Sequence, residues 1–109
     1  MKDIRLKVYN KFNQTVCDVL EIDFKKQKVT ALFRNTLPNI FDFNEVEFLQ
    51  FVGLKDINNE DIYEKDILYN GVDRYEVIFD AKSASFLGKF KNDVDTLNSL
   101  VNNGYYIEK

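Results

Sequence analysis

The chain has 109 residues and a net charge of -3, with 45% hydrophobic and 30% charged residues, a balance typical of folded rather than disordered chains. That length encloses one modest core and leaves two independent cores hard to fill, so a single domain is expected. There is one cysteine and no histidine, which excludes Ser-His and Cys-His catalysis, an intramolecular disulfide, and a zinc site of thiolate and imidazole ligands within one chain.

The four glycines match neither G-x-x-x-x-G-K-S/T nor G-x-G-x-x-G, so no phosphate-cradling loop of those kinds is expected. Ten Phe and six Tyr favour strands and supply large packing units to a small core. Charge is uneven: residues 1 to 52 carry eight bases and seven acids, residues 53 to 109 seven bases and eleven acids. Neither half has the concentrated cationic face of a phosphate-backbone binder, which disfavours nucleic acid as a partner. A lone cysteine, the absence of an apolar leader and the lack of any apolar run of membrane-spanning length lead us to expect a cytoplasmic chain with no membrane contact.

In chain order, Ile4, Leu6 and Val8 alternate with Arg5 and Lys7, the period-two pattern of a first strand. Leu20, Ile22 and Phe24 alternate with Glu21 and Asp23, and Val29, Ala31 and Phe33 resume the pattern. A hairpin is predicted there, with Lys25, Lys26 and Lys28 at a solvated tip. Residues 35 to 44 hold the only proline, Pro38, beside Asn35 and Asn39, and read as a loop. Val46 to Val52 is apolar enough to be a central strand covered on both faces.

Ile67 to Tyr69 and Val72 to Phe79 flank Asn70-Gly71, a strong hairpin signal because both positions accept positive φ. A strand from about Ala84 to Phe90 extends it into a meander. Val94, Leu97, Leu100 and Val101 recur at helical spacing, with Asn92 as the expected cap and Gly104 after the end. Tyr105 to Ile107 reads as a last strand. With no repeat or linker, the expectation is seven or eight strands and one helix: a strand-dominated α+β fold, an antiparallel meander or small barrel-like sheet with one short C-terminal helix. Its N-terminal strand and hairpin occupy about 1 to 52, and the remainder about 53 to 109.

Carboxylates crowd the stretch containing Asp56, Glu60, Asp61, Glu64 and Asp66. As an EF-hand starting at Asp56 it fails, because Asp61 stands where glycine is needed and Ile67 where the bidentate glutamate is needed. Spacing alone does not place two carboxylates across a sugar, so no catalytic residue, metal ligand or cofactor is assigned. In turn chemistry, Asp56 and Asn58 suit side-chain-to-backbone bonds, Asp61 suits capping a helical turn, and Ile62, Tyr63 and Ile67 suit anchoring it. As a recognition surface, Lys55, Asp56, Tyr63, Glu64 and Asp66 offer an aromatic anchor flanked by charges. Cys17 on a strand reads as a small buried hydrophobe.

The pattern Gly53-Leu54-Lys55-Asp56-x-Asn58, then Ile62-Tyr63-Glu64-x-Asp66-Ile67, followed by Asn70-Gly71 and Val77-Ile78-Phe79-Asp80, resembles the YopX family of phage and prophage proteins. The likeness covers nearly the whole chain. Family members commonly carry glycine where this chain has Asn59 and Lys65; asparagine tolerates the left-handed region, whereas Lys65 predicts a differently shaped turn. The resemblance implies a phage or prophage accessory protein in a bacterial host cytoplasm and assigns no reaction. Aromatic abundance without catalytic groups suggests a non-enzymatic interaction module that assembles with itself or binds a host or phage protein. Two further readings are a nucleic-acid or nucleotide binder using aromatic stacking and the lysines at 2, 7, 11, 25, 26 and 28, and an acidic inhibitor of a host defence protein acting through Glu60, Asp61 and Glu64.

Overall fold

The computed structural model describes residues 5–33 and 37–109, so Lys2, Ile4 and Asn35 lie outside the described residues. The chain forms two compact units, Met1–Gln50 and Phe51–Lys109. The buried side chains form two clusters rather than one modest core. Val8, Cys17, Val19, Val29, Ala31 and Val46 make the first, and Ile62, Leu68, Val77, Leu97, Leu100 and Tyr105 the second.

In the first unit, β1 (Leu6–Asn10), β2 (Thr15–Asp23), β3 (Lys28–Phe33), β4 (Leu37–Asp42) and the start of β5 (Val46–Lys55) pair antiparallel in the order β4-β3-β2-β1-β5. The predicted hairpin is present, with Gln27 at φ 54 and the Asp23 carboxylate accepting from Lys26 N at 3.0 Å at its solvated tip. The predicted alternation in β2 is corrected by a bulge between Val19 and Glu21. One extra residue reverses which face the following side chains take. Cys17 and Val19 before the bulge and Ile22 after it therefore share one cluster while Leu20 is exposed, and Phe24, beyond the end of β2, is exposed in the turn.

The stretch read as a loop contains β4, whose six residues all pair with β3, Pro38 opposite Leu32. In the sequence Pro38 reads as a break. On a terminal strand, however, one side of the backbone needs no ladder donor, so a missing N–H is tolerated. After β4, a single 3-10 turn, Phe43–Glu45, carries the chain into β5. There Val46 and Leu49, at odd spacing on the strand and hence on opposite faces, are both buried, as the both-faces pattern requires.

β5 runs on into the second unit and pairs with β6 (Asp61–Tyr63), with Gly53 at φ +90 where the register shifts between Phe51 and Lys55. The remaining strands, β7 (Ile67–Tyr69), β8 (Arg74–Asp80), β9 (Ser85–Phe90), β10 (Asp93–Thr96) and β11 (Tyr106–Ile107), form a sheet in the order β10-β9-β8-β7-β11. Its end strands do not pair with each other. The meander is thus an open sheet rather than a closed barrel. The hairpin at Asn70-Gly71 is present, but Tyr69 pairs with Arg74, so four residues rather than two make the turn. Gly71 alone of the central pair takes positive φ, and Asn70 Oδ1 organises the loop by accepting from Val72 N and Asp73 N at 2.9 and 2.7 Å.

The helix α1 (Leu97–Asn102) is shorter than its periodicity suggested, because Asp93–Thr96 pairs with β9 as β10 and leaves Val94 exposed. The cap is Thr96, whose hydroxyl accepts from Ser99 N at 3.2 Å, and not Asn92. Leu97 and Leu100 of α1 are buried, and Gly88 on β9 is the residue beneath Leu100. The described residues hold eleven strands and this one α-helix, and none of their helices is long and apolar enough to cross a membrane.

Candidate functional site

The segment after β5 is organised by one buried side chain. Asp56, 5% exposed, accepts from Asn58 N and Glu60 N through Oδ1, at 2.9 and 3.0 Å, and from Ile107 N through Oδ2 at 2.9 Å. Its backbone closes the same loop, with Asp56 N donating to Glu60 O and Asn59 N to Asp56 O. A carboxylate has two oxygens and several acceptor sites, so it can satisfy a loop on one side and a strand on the other. Asp56 thereby ties its own turn to β11, reinforced by a 2.6 Å contact from Lys109 Nζ to Glu60 Oε1. Beside it Arg74 Nε donates to both oxygens of Glu108, at 2.9 and 3.0 Å, and its guanidinium lies 4.4 Å from the Tyr69 ring centroid.

A second carboxylate shapes the next turn, Asp66 Oδ2 accepting from Tyr63 N at 2.8 Å and Asp66 N donating to Tyr63 O. Lys65 stands in that turn at φ 73, and Asn59 in the preceding one at φ 63, so both keep the backbone shape glycine would take and the turn at Lys65 is not reshaped. Holding a lysine there costs about 1–2 kcal/mol, partly offset because glycine loses more chain entropy on folding. Lys65→Gly is therefore expected to raise stability by about 0.5 kcal/mol, read as a higher Tm. Asn59→Gly should change less, since asparagine adopts this region readily.

Of the residues offered as a recognition surface, Asp56 and Tyr63 are buried, Asp66 is spent on a backbone turn, and Lys55 reaches Asp61 at 3.7 Å across the β5–β6 pair. Glu64 is half-buried. The five do not form a single exposed patch. Asp61 lies in β6 and caps no helical turn, and the acidic stretch is partly balanced, Glu60 by Lys109 and Asp61 by Lys55. Sequence reading missed Ile107, Arg74 and Glu108 as partners of this region, since nothing local marks a bond spanning 51 residues.

Elsewhere, Phe12, Phe24, Leu37 and Ile40 of the first unit are between 64% and 81% exposed. In the second unit a cavity of about 380 Å³ is lined by Val52, Leu54, Phe86 and Leu97 with neutral Ser85 and Thr96, and presents no charged side chain to bound material. On the core face of the β8–β10 sheet, Tyr75 packs against Phe90 and Tyr105 with ring centroids 5.7 and 5.6 Å apart. Burial, together with the charges of Asp73, Asp93 and Asp95, pushes the Tyr75 phenol above its ordinary range. Burial, then Asp73, Tyr75 and Asp95, does the same at Tyr105.

Two antiparallel β units, with a buried aspartate pinning the last strand to the segment after β5, define a strand-dominated α+β protein. The chain belongs to the YopX family, whose model, described as YopX protein, matches residues 6–107. No curated protein matches it.

Proposed function

We propose that this chain is a non-enzymatic interaction module, a phage or prophage accessory protein of the bacterial cytoplasm that binds itself or another protein. The observation that carries this reading is the terminal strand β4, which exposes Leu37 by 64% and Ile40 by 69%. Large apolar side chains standing in water are a standing incentive to bury them against a partner. Pro38 removes one backbone donor from the same strand, so side-chain contact rather than ladder extension is the mode to expect. The test is light scattering across a concentration series, alone and after incubation with host lysate, on wild type and on Leu37→Glu/Ile40→Glu. A dimer or recovered partner that disappears in the double variant supports the reading. A concentration-independent monomer with no recovered protein, identical in both chains, overturns it.

A further inference from the structure

The cavity of about 380 Å³ in the second unit plays no part in the turns around Asp56. It opens where β9 passes the start of α1 and the far end of β5, with Val52, Leu54, Phe86 and Leu97 as its apolar walls. Val52, Leu54 and Phe86 pack against the second core cluster, to which Leu97 belongs, so the cavity is continuous with that core. Phe86 stands opposite Phe79 in the β8–β9 ladder, and their rings meet edge-on with centroids 5.2 Å apart, which braces the Phe86 wall. None of the four wall residues is exposed. The exposed side chains at the mouth are Thr96 and Asn98, both polar and uncharged.

Size and chemistry narrow the occupant. Apolar atoms recessed behind polar ones suit a molecule that enters, whereas a protein partner needs a broad face of about 800 Å². The volume falls near the lower end of the roughly 300–1,000 Å³ typical of small-molecule sites. No lining side chain carries a charge, so a carboxylate, phosphate or ammonium brought inside would lose hydration without gaining a countercharge. Asp95, next to Thr96, does not line the cavity, and its oxygens already accept from Thr96 N and Ser99 Oγ at 2.8 and 3.3 Å. Thr96 Oγ1 accepts from Ser99 N, which leaves its hydroxyl hydrogen to donate, and no described residue bonds the Asn98 side chain. Together they offer hydrogen-bond donors and an acceptor to one edge of a ligand.

We infer that this cavity is a binding site for a small, uncharged aromatic molecule of one or two rings with a polar edge. The ring packs on Phe86 among Val52, Leu54 and Leu97, and the polar edge bonds to Thr96 and Asn98. The site lies wholly in the second unit and is independent of the β4 surface, so either reading can fail alone.

Tryptophol, tryptamine and indole-3-acetate carry one ring system with a neutral, cationic or anionic arm. Each is titrated into the full chain at neutral pH to about 10 mM, a range that covers the weak affinity of ligands this small. The chain has no tryptophan, so indole fluorescence excited beyond the tyrosine band reports the probe alone, and NMR shifts locate it. Saturable shifts at Val52, Phe86 and Leu97 are expected with tryptophol, whose dissociation constant should lie about fivefold or more below those of both charged probes. Val52→Phe fills the space and should weaken tryptophol binding by about tenfold or more, with Tm unchanged or higher. Asn98→Ala, at an exposed position of α1, should weaken it about threefold, and serves alone if Val52→Phe does not fold. Absence of saturable shifts at those residues with all three probes overturns the inference, and is the outcome if the cavity takes only an inserted side chain of a polypeptide. Equal affinity for the three probes, or unchanged affinity in the variants that fold, overturns it as well.

Discussion

Asp56→Asn is expected to lose about 3 kcal/mol or more of folding stability, measured as a lower midpoint in urea with an unchanged slope. The carboxylate is buried and accepts from three backbone N–H groups, two on one oxygen and one on the other. An amide has a single acceptor oxygen. Turned one way, its NH2 faces Ile107 N; turned the other way, it faces both Asn58 N and Glu60 N. Either orientation sets donor against donor in a place water does not reach, and hydrogen bonds to a charged acceptor are worth about 1.5–3 kcal/mol each. The loss should be concentrated at the far end of the chain, so amide hydrogen exchange at Ile107 should quicken more than at Val8. Asp66→Asn gives an internal comparison, because Asp66 is only half-buried and its bond to Tyr63 N stays within one turn, so its loss should be smaller. Equal stability of Asp56→Asn and wild type would remove the pinning role assigned to this carboxylate.

Gly88→Ala is the second large effect. A Cβ at position 88 would overlap Leu100 Cδ1 and lie 3.2 Å from Tyr75 Cβ, the first from α1 and the second from β8. Leu100 is 1% exposed and has little space to retreat into. Overpacking of this kind costs about 1–3 kcal/mol, and the upper half of that range is expected because the conflict involves a buried leucine and a strand residue at once. Leu100→Ala in the same background should recover part of the loss, since the two changes share one space. A double-mutant cycle showing simple additivity would contradict the packing argument.

What was legible in the sequence is what short-range physics determines. The Asn70-Gly71 dipeptide marked its hairpin, the lysines between Asp23 and Lys28 marked another, and Asp56 was recognisable as a turn-forming side chain. The errors came from features that local pattern does not encode. A bulge at Leu20 leaves no mark on hydrophobic alternation, yet it turns Ile22 onto the face that Cys17 and Val19 occupy, while Phe24 lies beyond the end of β2. Pro38 breaks a central strand but not a terminal one, and only the tertiary arrangement tells which it occupies. Val94 and Leu97 have helical spacing, but pairing of Asp93–Thr96 with β9 outweighed that preference. In the candidate site, the signature residues could be chosen in advance, but the Asp56 bond to Ile107 depends on two segments meeting in space.

The positive-φ turns bear on how this chain would respond to selection for heat tolerance. Six described residues other than glycine, Gln14, Gln27, Asn59, Lys65, Ala84 and Lys91, occupy the region glycine favours, in a sequence with only four glycines. Each except Asn59, already an asparagine, is a place where one substitution to glycine, asparagine or aspartate relaxes the backbone without touching either core. Such headroom lies almost entirely in connections between strands. A thermally hardened descendant of this chain would keep its sheets and cores and differ first at its corners.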